Sequence, residues 1–221
     1  MEKKEDKARI EITAPNMGIA LFKIIGTSPL MISSFTEKAI NKMRAAQEAG
    51  SRAKSKKARE ARDFEKDYRD AMHVSTDGWP GIAAGAFRTG MVDACRLVGY
   101  PMTRAKLAIF IEADGLDSVV KTPLVRIIGT PEMVIRAERN DDGSMDLRSR
   151  PSWTTWMINP LRVRFDQDMF SISAITNLLL RVGLQVGVGE GRPNSQNSTG
   201  IGYGLFSVDP EVDVEIRQQY K

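Results

Sequence analysis

Glycines crowd the C-terminal part of the chain around a single arginine. Gly183, Gly187, Gly189 and Gly191 lead into Arg192-Pro193, and Gly200, Gly202 and Gly204 follow a short polar stretch, with Tyr203 among them. Repeated glycine lets a backbone take positive φ and bring its N–H groups to a ligand with no Cβ in the way. A phosphodiester suits such a seat, because main-chain N–H groups and the Arg192 guanidinium can both reach its oxygens. The same composition also serves a bend that packs a helix against a strand, and the residues alone leave both readings open. A phosphate-binding GxxxxGK[ST] loop is absent from the sequence. The dinucleotide fingerprint runs strand, glycines, helix, whereas here the expected order is helix, glycines, strand.

Cations form a second constellation. Lys38, Lys42, Arg44, Arg52, Lys54, Lys56, Lys57, Arg59, Arg62, Lys66 and Arg69 crowd one stretch, densest from Lys54 to Lys57. Such a surface gathers phosphates, although a solvated helix laced with i,i+4 ion pairs has the same composition. Arg88 sits beside Phe87 at the start of an expected helix, and Arg126, Arg162 and Arg164 fall on expected strands. Arginines on an open sheet face, with Tyr203 or Trp156 nearby, would hold single-stranded nucleic acid by stacking and phosphate contact. The bland alternative is core aromatics and solvent-facing arginines.

Residues for catalysis are sparse. His73 is the single histidine and Cys95 the single cysteine, so neither a multi-histidine metal site nor a thiolate cluster can form. Asp141-Asp142 and Asp166 with Asp168 are the carboxylates that a metal-dependent nuclease would use, a reading kept as an alternative. We expect no resident cofactor and no metal. With 221 residues, 42% of them hydrophobic, and a formal charge of +4, the chain has the composition of a soluble globular protein. A lone cysteine and a charged start, with no long apolar run, predict a cytoplasmic protein that does not enter a membrane.

Certain elements must position these groups. Ile19–Ile25 reads as the first strand, and Arg9–Ala14 as a possible edge beside it. Residues 36–76 form a basic helical insertion, thin in large apolar side chains. Ile82–Val98 carries a helical stripe with Gly99 at its C-terminal end. Leu107–Ile111 and Leu124–Ile128 are short strands. Met133–Ala137 and Met145–Arg150 flank Asn140-Asp-Asp-Gly143 as a hairpin. Trp156–Phe165 is a strand with Leu161, Val163 and Phe165 on one side. Ser171 caps a helix over Ile172–Val182, and Gly200–Val208 closes on a strand. The organisation expected is thus 1–35 first strands, 36–76 insertion, 77–208 the rest of the core, and 209–221 a polar tail. Without the insertion the order is βαββαβ, which predicts an α+β, ferredoxin-like sheet with two helices on one face.

Three stretches resemble the RAMP superfamily, the ferredoxin-like proteins known as backbone subunits of CRISPR effector complexes. They are Phe22-Lys-Ile-Ile-Gly-Thr-Ser-Pro-Leu30, Gly81-Ile-Ala-Ala-Gly-Ala-Phe-Arg88, and Gly187-Val-Gly-Glu-Gly-Arg-Pro193 with Gly200-Ile-Gly-Tyr-Gly-Leu-Phe206. The resemblance implies that Arg88, Arg192 and the loop glycines lie near bound RNA. Pro193 and an Asn/Ser/Gln stretch interrupt the loop here, and the family's processing histidine has no counterpart, so guide-RNA cleavage is not carried over. The expectation is a non-catalytic protein that coats single-stranded RNA or DNA. It would work as a homo-oligomer or filament along the strand, or as a subunit of a larger ribonucleoprotein. A divergent member from a phage or mobile element fits as well as a CRISPR subunit. A structural or assembly protein using the same fold for protein–protein contacts is the other alternative.

Overall fold

The computed structural model describes residues 12–34, 41, 43–45, 47–48, 62–139, 145–195, 200–209 and 217–218. It is a mixed α+β molecule with several antiparallel sheets. Strand β1 (Met17–Gly26) is central. Its period-2 alternation buries Ala20, Phe22 and Ile24 and leaves Leu21 and Lys23 only partly covered. Strand β10 (Met157–Asp166) runs antiparallel beside it, with Ala20 opposite Val163 and Phe22 opposite Leu161. Strand β5 (Ile109–Glu112) lies on the far side of β10. On the other edge of β1, β11 (Phe206–Val208) pairs with Ile24–Gly26 and β12 (Arg217–Gln218) with Gly18 and Ile19. The sheet order is β11–β1–β10–β5, with every pair antiparallel.

Two helices feed one core with the inward side chains of this sheet. Helix α2 (Ala84–Leu97) contributes Phe87, Met91, Ala94 and Cys95, and α4 (Ile172–Arg181) contributes Ile175, Leu178 and Leu179. Ser171 starts α4 because its hydroxyl accepts the Ala174 N–H, satisfying a donor that the helix itself leaves free. Gly99, at φ 71°, follows the end of α2. Phe206 bridges the layers, 5.9 Å from the Phe87 ring and 6.1 Å from that of Trp156. After α4 a π-helical turn, Val182–Val186, delivers the chain to Gly187. Gly90 admits this turn: a Cβ there would stand 2.8 Å from Val182 Cγ1.

Two smaller sheets flank the first. Strands β2 (Leu30–Met31), β8 (Glu132–Arg139) and β9 (Met145–Trp153) are ordered β2–β9–β8. Strands β3 (His73–Val74), β4 (Pro80–Ala83), β6 (Gly115–Leu116) and β7 (Pro123–Arg126) are ordered β3–β4–β7–β6. Helix α1 (Phe64–Asp70), capped by Asp63, lies along β9, where Arg62 binds Asp146 and the Leu147 carbonyl. Helix α3 (Met102–Ala108) leads directly into β5. No helix among the described residues is long and apolar enough to cross a membrane.

Several expected boundaries move. The helical stripe begins at Ala84 rather than Ile82, because Ile82 and Ala83 finish β4 in register with Val125 and Leu124. Leu107 and Ala108 close a helix, so the strand there starts at Ile109. Ile12–Ala14 are not paired as an edge. Trp156 is not on an open face: it is buried in the core and its indole N–H donates to the Ser28 carbonyl at 2.8 Å. The closing strand expected over Gly200–Val208 is confined to Phe206–Val208, and Arg217–Gln218, expected in a polar tail, pair with β1. The hairpin forms as expected over β8 and β9, but its Asn140–Gly143 turn lies outside the described residues, as do most of the insertion and the tail.

Candidate functional site

The hairpin puts like charges face to face. In its register Arg136 stands directly opposite Arg148, and Val134 opposite Arg150. Because side chains alternate, Arg136, Arg148 and Arg150 share one face. Like charges directly opposite each other destabilise a strand pair unless acids stand nearby. Glu190 is one such acid, accepting from Arg150 Nε at 3.0 Å. Arg136 lies with its guanidinium 5.4 Å from the centre of the Tyr203 ring, close enough for a cation–π contact.

Beside that face opens a cleft of about 540 Å³. One wall is α2, through Gly85, Ala86, Thr89 and Asp93; another is the Val186–Arg192 segment; Arg148, Arg150, Ser33 and His73 are also in the lining. No side chain caps α2, whose preceding residue is Ala83, and Ala83, Gly85 and Ala86 at its positive end line the cleft. Three guanidinium groups line the space against the carboxylates of Asp93 and Glu190. Asp93 is further engaged by the Asn194 amide at 2.7 Å.

The glycine-rich loop builds the cleft's rim, and its own chain explains most of its glycines. The Val188 N–H donates to the Gly204 carbonyl at 3.0 Å, the Glu190 N–H to Met31 at 2.8 Å, and the Gly204 N–H to Pro29 at 2.8 Å. A Cβ on Gly204 (φ 68°) would collide with the Val188 carbonyl, and one on Gly189 (φ 78°) would stand 2.5 Å from the Met31 oxygen. Gly187, Gly191 and Gly200 are similarly enclosed, whereas Gly202 faces open space. Arg192 folds over the rim and donates to the Gly189 carbonyl at 3.0 Å.

The site residues singled out in the sequence therefore part company. Gly187, Gly189 and Arg192 line the cleft; Gly191, Gly200, Gly202 and Tyr203 form the neighbouring arm of the loop. Arg88 points away from the cleft, donating to the carbonyls of Ile109 at 2.9 Å and Lys106 at 2.5 Å. Arg162 and Arg164 lie on the opposite face of the main sheet, paired with Asp114 and Glu112. Lys54, Lys56 and Lys57 lie outside the described residues. Asp141 and Asp142 do too, while Asp166 and Asp168 share a turn in which the Asp168 N–H donates to Asp166. Among the described residues no group of three or more His, Cys, Asp and Glu side chains converges as metal ligands would. Cys95 is buried, which pushes its thiol up and away from the reactive thiolate.

Two features were missed by sequence reasoning. Arg148-x-Arg150 carries the period-2 signal of a one-sided charged strand, and Arg136 completes it only through the hairpin register. His73 pairs with a residue distant in sequence: its Nδ1 lies 2.8 Å from Asp117 Oδ2. Asp117 also accepts from the N–H groups of Val119 and Val120. Burial pushes the Asp117 carboxyl up, but the bonds from His73, Val120 and Val119 together outweigh it and hold the group below its ordinary value. Compared with known proteins, the chain matches no family model and no curated sequence.

Proposed function

We propose that this chain is a non-catalytic, single-stranded nucleic-acid-binding protein whose strand runs through the cleft between α2, the glycine-rich loop and the arginine face of the hairpin. The observation that carries the reading is the register that sets Arg136 against Arg148 with Arg150 alongside. That register gathers guanidinium groups on one face, and each offers several donors in a planar fork suited to phosphate. The Arg136–Tyr203 stack offers a surface on which a base can lie. The antiparallel order β11–β1–β10–β5 under two helices supports a ferredoxin-like core, and with it the likeness to RAMP proteins, which would act in the cytoplasm.

Gel-shift or anisotropy titration with single-stranded RNA and DNA at several salt concentrations tests the proposal. Engagement of Arg136, Arg148, Arg150 and Arg192 by phosphates predicts a log–log salt slope of about −3, at roughly 0.7 per contact. Failure to bind either strand at low salt overturns it. A further reading, assembly along the strand, is supported by the opposite hairpin face, where Met133, Ile135, Met145 and Leu147 are exposed. Light scattering with and without a strand tests this: an assembly that forms equally well without nucleic acid would favour a purely structural role.

A further inference from the structure

The cleft is rich in donors, and the Ser33 and Thr89 hydroxyls in its lining can both donate and accept. Arg148, Arg150 and Arg192 carry only donors, and the main chain at the start of α2 presents N–H groups. The two carboxylates in the wall are engaged, Glu190 by Arg150 and Asp93 by Asn194. His73 adds a ring nitrogen whose role as donor or acceptor is set by the partner of the other nitrogen. Its Nδ1 is committed to Asp117 at 2.8 Å, and Asp117, held ionised by three hydrogen bonds, can only accept. Nδ1 must therefore carry the proton. In the neutral imidazole this fixes the tautomer and leaves Nε2 with a lone pair, an acceptor on a cleft-lining residue. The ring is held in place, since its side chain is only 13% exposed and its backbone pairs with Gly81 in β4.

A phosphate offers nothing to such an acceptor, but a sugar hydroxyl does. The geometry points to His73 as a reader of the ribose 2′-hydroxyl: the strand's phosphates meet the arginines, the 2′-O–H donates to His73 Nε2, and RNA is thereby preferred to DNA. This rests on the binding reading given above and adds the substrate class to it. The 2′-hydroxyl is the group by which a protein tells the two nucleic acids apart at one site. One hydrogen bond to a partly hydrated acceptor corresponds to a preference of about tenfold.

The test is fluorescence anisotropy at pH 8 with three labelled oligomers of about twelve nucleotides. They are oligouridylate, its 2′-deoxy form, and its 2′-O-methyl form, which keeps RNA-like sugar geometry but lacks the donor. The intact protein is expected to bind the ribo form about tenfold more tightly than either of the others. In His73→Ala the ribo form should fall to the level of the deoxy form, whose own affinity stays within about twofold. Asp117→Asn keeps the imidazole but lets the amide donate to Nδ1, moving the proton to Nε2. Since the 2′ oxygen of the ribo and of the 2′-O-methyl form can each accept from Nε2–H, it should erase the preference between those two, and it serves as the second variant if His73→Ala melts early by circular dichroism. Equal binding of all three oligomers by the intact protein overturns the 2′-hydroxyl reading while leaving nucleic-acid binding intact. So does a His73→Ala protein that weakens toward ribo and deoxy forms alike, which would make the imidazole a brace. Binding to none of the three overturns the underlying reading.

Discussion

Two faces of this molecule carry arginines, and they are set in different surroundings. On the open side of the main sheet Arg162 meets Asp114 and Arg164 meets Glu112, while Phe110 lies between Arg164, at 4.7 Å from its ring centre, and Arg88, at 5.1 Å. Each of the two strand arginines has its own carboxylate from β5 or the loop after it. At the hairpin Arg136 stands opposite Arg148, and Arg148, Arg150 and Arg192 line the cleft together with Glu190 and Asp93. The difference teaches that an arginine's address in the sequence says little about its field. What matters is whether the neighbouring strand returns an acid to it, and register decides that.

The largest effect expected separates the faces by destroying one of them. Gly204→Ala puts a Cβ into the Val188 carbonyl at a φ of 68°, where a side chain is already strained. The cost should be at least about 2 kcal/mol, read by urea unfolding. The substitution should unseat the rim and abolish strand binding, while the Gly202→Ala control, which meets no atom, should bind nearly normally despite its own positive φ. Equal losses in both variants would mean that the rim does not shape the site.

Charge reversal comes next and addresses the comparison itself. The Arg148→Glu, Arg150→Glu pair should weaken single-strand binding by about a hundredfold, since each charge-assisted contact contributes on the order of 1.5 kcal/mol or more. Arg162→Glu with Arg164→Glu should change it by about twofold at most. If the sheet-face pair proves the more damaging, the strand lies across the sheet and the cleft assignment is wrong.

How much of this could be read beforehand follows the range of the interactions. Local signals were legible: Leu161, Val163 and Phe165 alternate as a strand facing a core, Ser171 caps its helix, and the glycine-rich loop stands where it was expected. Boundaries made of small residues were not. Ile82-Ala83 suit a helix by type, yet β7 claims them as a strand, because a neighbouring strand outweighs weak helical propensity. The site was half legible for the same reason. Asp114 reaches Arg162 across 48 positions and Asp117 reaches His73 across 44, and neither pairing leaves a trace in local spacing. The hairpin was recognised as a turn between strands, and its arginine face required a register that sequence alone did not fix.

A smaller effect would sharpen the contrast from the opposite side. Removing the acids with Glu112→Gln and Asp114→Asn frees Arg162 and Arg164 without touching the cleft. Those partners are partly exposed, so each pair contributes only a little and is screened by salt. The expected result is a gain in low-salt binding of about two- to threefold, lost at high salt. A gain that survives high salt would show that these acids do more than neutralise their arginines.

The smallest effect is a pH dependence confined to the cleft side. Asp117 is held below its ordinary value, because its bonds from His73, Val120 and Val119 outweigh the desolvation that would raise it. A carboxyl depressed in the folded state stabilises fully above its unfolded value and loses that contribution as pH falls through the folded one. Acidification through 3.8 and below should therefore release the Val119 and Val120 N–H groups, which donate to its Oδ1 at 2.8 and 2.9 Å. Hydrogen exchange at those two amides, corrected for intrinsic rates, should lose protection over that window in the intact protein. In Asp117→Asn no carboxyl titrates there, so protection should be lower at neutral pH and flat on acidification. Identical profiles in the two proteins would mean that the bonds to Val119 and Val120 do not depend on the carboxylate, and the fixed tautomer of His73 would lose its support with them.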